Sequence, residues 1–460
     1  MLKIFHGLPV FTSVADANSH VYSPGLEYLT YFILHPLGLE LDVRFCRLVN
    51  VFIGVLAAVS ATYAAFIFIK AYKINFDKII EYFITFGLAL LLVFHNYTSE
   101  VPHPDNLHIL HAILVFILVA LAIGHKKYYL AIFSVCLAGV GVLIKQSNAP
   151  IFLAPVLIYL ILGLWNWYKT IILGLISCLF FGISLLTVWS SYPAFQFTFL
   201  IPRNYPTHFP QWAVWPPELT FSIILAVITI FVLIYFWKKK PAARQYVLSW
   251  LIIGILSISS NIYIFVYVLY GWWNDLIIFN IWCWIIIWPF LLSLLYQKIF
   301  SAKYRWVGHA LFFLIVGYML FSIFPRRFVP QASHYKHSST IESMIKKDLA
   351  LGKNINLDLG TSALINADFP GVPLDRSTAN FEIGKGGFGD YSRTKERFTL
   401  GLYDRIYGKK IFSYKEDIVK SGKYIIVDTI MEAPAPGLRT GFHPGFMDKT
   451  FVYEYQNKIQ

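Results

Sequence analysis

About ten long apolar runs dominate the chain, at 45–69, 79–95, 106–124, 128–145, 149–167, 170–190, 219–237, 246–270, 276–297 and 306–324. A helix needs ~20 such residues to cross a bilayer, and only structures that satisfy their own backbone hydrogen bonds survive there. The runs therefore predict an all-α polytopic membrane protein of about ten transmembrane helices. Those at 128–145 and 149–167 are parted by a few residues and read as a helical hairpin. With 57% of residues hydrophobic and 14% charged, against roughly 25% charged in soluble domains, a soluble or disordered chain is excluded. The four cysteines, Cys46, Cys136, Cys178 and Cys283, all lie inside apolar runs, which argues against a disulfide framework or a zinc site.

Charge sorts the connections. One set carries Lys70, Lys73 and Lys78; Lys126 and Lys127; Lys169; Lys238, Lys239, Lys240 and Arg244; and Lys298, Lys303 and Arg305. The alternate set holds little beyond Lys145 and Arg203. Cytoplasmic loops are enriched in Lys and Arg, so the first set faces inward and the second outward. The net charge of +13 thus reads as anchorage at anionic headgroups rather than as a nucleic-acid surface. On this assignment residues 1–44 form an outward loop with an interfacial helix at Leu26–Leu37. Residues 45–325 form the transmembrane core, and 326–460 an outward α/β domain. Strands are expected at Asn354–Leu359 and Tyr424–Val427, and an amphipathic helix at Ser339–Leu351. The implied location is a bacterial inner (plasma) membrane, with both terminal segments facing the periplasm. Residues 1–21 lack a cleavable-signal pattern, so an outward N-terminus calls for a further helix upstream.

Polar residues at the outward side are the candidates for chemistry. Asp105 stands where an outward loop enters a helix, in Pro102-His103-Pro104-Asp105-Asn106-Leu107. Such a carboxylate is a functional group or a helix cap. Lys145-Gln146-Ser147-Asn148 fills the outward turn of the hairpin. Its ammonium is placed to hold a phosphate or to snorkel. Arg44 and Arg47 lie three apart at the mouth of a long helix, hence on one face. They suit a phosphate or plain headgroups, as does Arg203 in its aromatic-rich loop. The N-terminal segment offers Asp16 and Tyr22. Two patterns are set aside. Gly384–Gly389 lacks the strand, helix and trailing Lys of a phosphate loop. His103, His108 and His111 lack a carboxylate partner at ligand spacing.

Taken in order, Tyr22-Ser23-Pro24-Gly25, an interfacial helix, Gly38-Leu39, Arg44 with Arg47-Leu48, Pro104-Asp105-Asn106-Leu107 and Lys145-Gln146 resemble a known layout. It is that of the C-superfamily (GT-C) polytopic glycosyltransferases, of the protein-mannosyltransferase and aminoarabinose-transferase type, and covers roughly residues 8–325. The resemblance implies transfer of a sugar from a polyprenyl-phosphate-linked donor, at the outer leaflet, to a lipid, protein or glycan acceptor. An acidic residue of the first outward loop would be the base, and Asp105 a second acid. Lys145, Arg44 and Arg47 would hold the donor phosphate, with Tyr22, His103, Gln146 and Arg203 also contacting substrate. No cofactor or divalent metal is called for. One departure matters: the family's acidic motif precedes the Tyr-Pro element, and Met1 falls inside that loop. Asp16 or Asp105 would have to serve in its place. The alternatives are a lipid-linked glycan flippase or transporter, expected to show inverted repeats and interrupted helices, and a glycan polymerase or ligase. Neither repeats nor interruptions are apparent in the sequence.

Overall fold

In the computed structural model the described residues are chiefly 23–39, 43–71, 104–200, 217–239, 241–267, 273–298 and 332–358, with parts of 374–456. Chain order gives α1 (Gly25–Leu34), α2 (Val43–Ala71), α3 (Asp105–His125), α4 (Tyr128–Gly139) and the single turn α5 (Gly141–Ile144). A 3₁₀ segment, Gln146–Leu153, leads into α6 (Ala154–Ile161), α7 (Trp167–Val188) and the short α8 (Tyr192–Phe195). Then come α9 (Pro217–Lys239), α10 (Arg244–Ile253), a π-helical turn at Gly254–Ile258, α11 (Ser259–Tyr267) and α12 (Trp273–Lys298).

The body is all-helical, and five of its helices are long and apolar enough to cross a membrane: Leu48–Ala71, Asp105–His125, Trp167–Val188, Leu219–Lys239 and Pro241–Tyr263. The multi-spanning character expected from the sequence is therefore present. The count of about ten is corrected to five among the described residues. Run 79–95, and run 306–324 apart from Trp306 and Ala310, lie outside the described residues. Three further apolar stretches, Tyr128–Ile144, Gln146–Ile161 and Ile278–Phe290, are shorter than a full span.

The hairpin legs are short for local reasons. The first breaks at Val140, between Gly139 and Gly141, both packed too tightly for a side chain. A Cβ on Gly139 would lie 2.6 Å from the Phe180 Cβ, and one on Gly141 2.8 Å from the Asn148 carbonyl oxygen. The leg then ends at Lys145, whose backbone is extended (φ −154°, ψ 137°). In the second leg Pro150 lies within eight residues of tighter 3₁₀ helix. A 3₁₀ residue rises ~2.0 Å against ~1.5 Å in an α-helix. Gln146–Ile161 therefore covers about 28 Å, close to the ~30 Å hydrocarbon core, with few residues.

Helix α3 is the central element and packs against α2, α4, α10 and α12. The α2 face toward it is a stripe of small residues, Ala57, Ala58, Ala61, Ala64 and Ala65, all buried. Val55, Leu56, Val59 and Tyr63 of the same helix are exposed. This is the membrane pattern, in which small residues let backbones approach and large apolar ones meet lipid. Phe68 stacks on Phe116 at 5.3 Å, and Trp282 meets Phe116 edge-on at 6.4 Å while stacking on Trp250 at 5.1 Å. Helix α7 is peripheral, with Leu175, Leu179, Ile183 and Leu186 exposed.

The two ends of the bundle differ in charge. Tyr128 Oη donates to the Lys169 carbonyl at 3.0 Å, joining the starts of α4 and α7. Gly124 of α3 lies against the Tyr246 hydroxyl of α10. Lys126, Lys127, Lys169, Lys238, Lys239 and Arg244 thus gather at one end. The opposite end carries the starts of α2 and α3, the hairpin turn and the π-helical turn.

The C-terminal region contains helix α13 (Ala332–Ala350) and an open mixed sheet, β1 (Ile355–Asp358), β2 (Leu374–Asp375), β3 (Arg405–Gly408), β4 (Tyr424–Met431) and β5 (Lys449–Tyr455). Strand order is β2-β1-β3-β5-β4. β1 runs parallel to β2 and β3, whereas β5 is antiparallel to β3 and β4. Ile341 and Ile345 of α13 close over Ile355, Leu357, Tyr407 and Val452. The strand expected at 424–427 lies within β4, and the strand expected at 354–359 and the helix at 339–351 overlap β1 and α13, each running a residue past them.

Candidate functional site

Asp105 is the first residue of α3. Pro104 occupies the cap position, so the capping reading of Asp105 is replaced by a tertiary one. Its Oδ1 accepts from Lys145 Nζ at 2.8 Å. Both side chains are buried, 3% exposed for Asp105 and 10% for Lys145. The snorkelling reading of Lys145 falls with this: the extended backbone at the hairpin turn sends the ammonium inward, to a carboxylate. A negative group at the start of a helix is also favoured by the helix dipole. Asn261 of α11 adds its Oδ1 as an acceptor for Lys145 Nζ at 3.4 Å, while its Nδ2 donates to the Ile258 carbonyl at 3.1 Å.

A second group of polar residues lies within the same end. Asn106 Nδ2 donates to Asn50 Oδ1 at 3.3 Å, tying α3 to α2. One turn deeper, His108 Nε2 lies 3.0 Å from Ser257 Oγ, and Ser257 Oγ donates to Asn148 Oδ1. Asn148 Nδ2 meets His111 Nδ1 at 2.9 Å, and His111 Nε2 meets the Leu137 carbonyl at 2.7 Å.

For neutral imidazoles the donor directions in this chain are fixed. A carbonyl only accepts, so His111 carries its proton on Nε2 and donates to Leu137. Its Nδ1 then accepts from the Asn148 amide. The single Ser257 proton goes to Asn148 Oδ1, so Ser257 Oγ accepts from His108 Nε2–H. The remaining His108 nitrogen, Nδ1, is a bare lone pair, buried and without a hydrogen-bond partner. Ser23 Oγ and Ser147 Oγ are likewise buried and unpartnered. Ser147 is two residues from Lys145. Ser23 precedes Gly25, whose Cβ position would fall 2.9 Å from the Leu143 carbonyl carbon and 3.0 Å from Ile144 Cα. The Ser23-Pro24-Gly25 segment thus packs on the residues leading into Lys145.

Of the residues singled out by the sequence, Asp105 and Lys145 are brought together, and Gln146 opens the 3₁₀ segment beside them. Arg44 and Arg47 lie in the first turns of α2, the end at which Asn50 meets Asn106. Asp16, Tyr22, His103 and Arg203 lie outside the described residues. Sequence reasoning weighed His108 and His111 only as metal ligands and set them aside, and it passed over Ser257 and Asn261. The signal was there: Ser257-Ile258-Ser259-Ser260-Asn261 interrupts a spanning run with polar residues, which are costly in a membrane unless satisfied. Among the described residues no group of three His, Cys, Asp or Glu side chains is gathered closely enough to hold a metal ion. No protein-family model matches this chain, and no curated protein matches it.

Proposed function

We propose that this chain is a membrane glycosyltransferase, moving a sugar from a polyprenyl-phosphate-linked donor to an acceptor at the end of the bundle that carries Asp105 and Lys145. The observation that carries the reading is the Asp105–Lys145 ion pair at 2.8 Å, with the Pro24-Gly25 segment packed beside it. Residues spread over more than a hundred positions, each part of the sequence layout that resembles GT-C enzymes, lie at one buried polar end. Phosphate is the leaving group in such a transfer. A cation beside it stabilises the charge that develops as the glycosidic C–O bond breaks. Lys145 supplies that charge, and Arg44 and Arg47, at the mouth of α2, are its candidates for steering an anionic headgroup. A carboxylate near the acceptor hydroxyl orients it and assists loss of its proton. A single displacement gives inversion at the anomeric carbon. The acceptor in this reading is a hydroxyl of a lipid, protein or glycan.

Reconstituted protein with a polyprenyl-phosphate sugar tests it. Asp105→Asn is expected to lower transfer by roughly 10²-fold or more with membrane insertion intact. Lys145→Ala is expected to raise the apparent KM for donor more than that for acceptor. Full turnover in Asp105→Asn, or an unchanged donor KM in Lys145→Ala, removes the respective residue from the chemistry.

A second reading has one observation in its favour. The hairpin helices and the 241–263 span are interrupted, by the break at Val140, the 3₁₀ segment and the π-helical turn. This corrects the sequence expectation of uninterrupted helices. Broken helices around a buried polar site are a transporter feature, so a flippase for the same class of lipid is the rival. Movement of a fluorescent lipid-linked sugar between leaflets, without change in its covalent structure, would favour the rival over transfer.

A further inference from the structure

The reaction proposed above releases a proton from the acceptor hydroxyl, and the polar chain beneath the ion pair has one place to receive it. Asp105, its Oδ1 held by the Lys145 ammonium, is the anion that orients the hydroxyl and draws its proton toward the site. In the chain from His108 to Leu137, Ser257 Oγ, Asn148 Oδ1, His111 Nδ1 and the Leu137 carbonyl are all occupied as acceptors. Protonating any of these would break a buried hydrogen bond, which costs about 1–3 kcal/mol. His108 Nδ1 is unpartnered, and a proton added there leaves every bond of the chain in place. His108 is three residues after Asp105, on the same face of α3.

We propose that His108 Nδ1 is the proton-accepting atom of the site, and that Ser257, Asn148 and His111 are positioning residues that hold its ring in the Nε2–H tautomer. The proposal rests on the transfer reading and deepens it. The acceptor oxygen forms its bond to the anomeric carbon as the bond from that carbon to the phosphate oxygen breaks. The bonding pair leaves with the phosphate, and the hydroxyl proton passes to His108 Nδ1. The resulting imidazolium still donates through Nε2 to Ser257. The titratable groups around it are Asp105 and Lys145 above and His111 one turn further along α3.

The test is His108→Gln in the full-length protein, reconstituted with the lipid-phosphate sugar and assayed across pH. A glutamine amide donates to Ser257 as the ring does but offers no basic lone pair, so a purely structural role would be preserved. The expected result is a fall in kcat of roughly 10²–10⁴-fold. Donor KM should be little changed, and the acid-side fall of the wild-type rate profile should disappear. Ser257→Ala, measured alongside, should lose less and keep that acid-side fall. Wild-type turnover with His108→Gln within about threefold of it at every pH overturns the assignment to His108 and leaves the transfer reading with Asp105 as its base. If His108→Gln does not fold, Ser257→Ala with wild-type rate and profile overturns the positioning chain. Absence of any transfer by the wild-type protein overturns both.

Discussion

Two opposite charges 2.8 Å apart attract by about 6 kcal/mol at an effective dielectric constant near 20, and removal of both from water offsets much of this. Removing only one partner of Asp105–Lys145 leaves a buried charge alone and is expected to destabilise by about 3–5 kcal/mol. Lys145→Met should therefore lower the thermal midpoint in detergent well below wild type. The double variant Asp105→Leu with Lys145→Met should recover most of that loss. Additive effects in this cycle would mean that the two residues do not act as a buried pair. Each member is legible in the sequence as a polar residue at the edge of an apolar run. Their pairing is not, because 40 positions separate them and the inward turn of Lys145 depends on the backbone break after Ile144. Asn261 and Ser257 were hidden for a different reason: in a sequence read by its apolar runs, serine and asparagine inside a span are tolerated rather than noticed.

At the level of elements, the C-terminal region shows how a helix is fixed to a sheet. Tyr407 of β3 is wholly buried, and its hydroxyl donates to Asp348 Oδ2 of α13 at 2.6 Å. Lys353 Nζ sits 3.5 Å from Asp348 Oδ1, and Arg405 and Lys353 both reach Glu454 Oε1, at 3.2 and 3.4 Å. Burial, then the Asp348 carboxylate, pushes the Tyr407 phenol well above its ordinary value, and burial does the same for Tyr424. A folded-state value raised above the unfolded one (~10) gives stability that is fully present below pH ~10. That stability is lost as pH rises beyond it. Protease susceptibility of the region between about pH 9 and pH 11.5 should rise with pH. In Tyr407→Phe it should start higher, the lost bond to a charged acceptor being worth about 1.5–3 kcal/mol, and rise less steeply. An equally steep rise in the variant would detach Tyr407 from the effect. Strand positions here follow from apolar alternation in sequence, whereas the strand order and the Tyr407–Asp348 link come from contacts distant along the chain.

Across the whole molecule, the segregation of charge predicts an orientation for the bundle. By the excess of positive charge, the end holding Lys126, Lys127, Lys169, Lys238, Lys239 and Arg244 is expected to be the cytoplasmic one. On that expectation Asp105, Lys145 and the His108 chain would lie toward the outer leaflet. In a protein freed of its native cysteines, Lys239→Cys should be labelled by a membrane-impermeant thiol reagent only after permeabilisation. Leu351→Cys, at an exposed position after α13, should be labelled in intact cells. The reverse pattern would invert the molecule and place the polar site on the cytoplasmic side. The number of spans was the least legible property. Runs of similar apolar content became a full helix at Asp105–His125 and a broken leg at Tyr128–Ile144. Close packing at Gly139 and Gly141 separates the two cases, and composition does not register it.

The stretched hairpin also acts on the lipid around it. Its first leg, 17 residues from Tyr128 to Ile144, rises only about 25 Å, several ångströms short of an average hydrocarbon layer. Acyl chains beside it must compress to keep apolar surface covered, at a fraction of a kcal/mol per ångström. Headgroups next to the Lys145 turn therefore ride lower than those beside the full-length α7. A lipid in the leaflet at that end meets the Lys145 turn across a dimple in the surface instead of a wall of hydrocarbon.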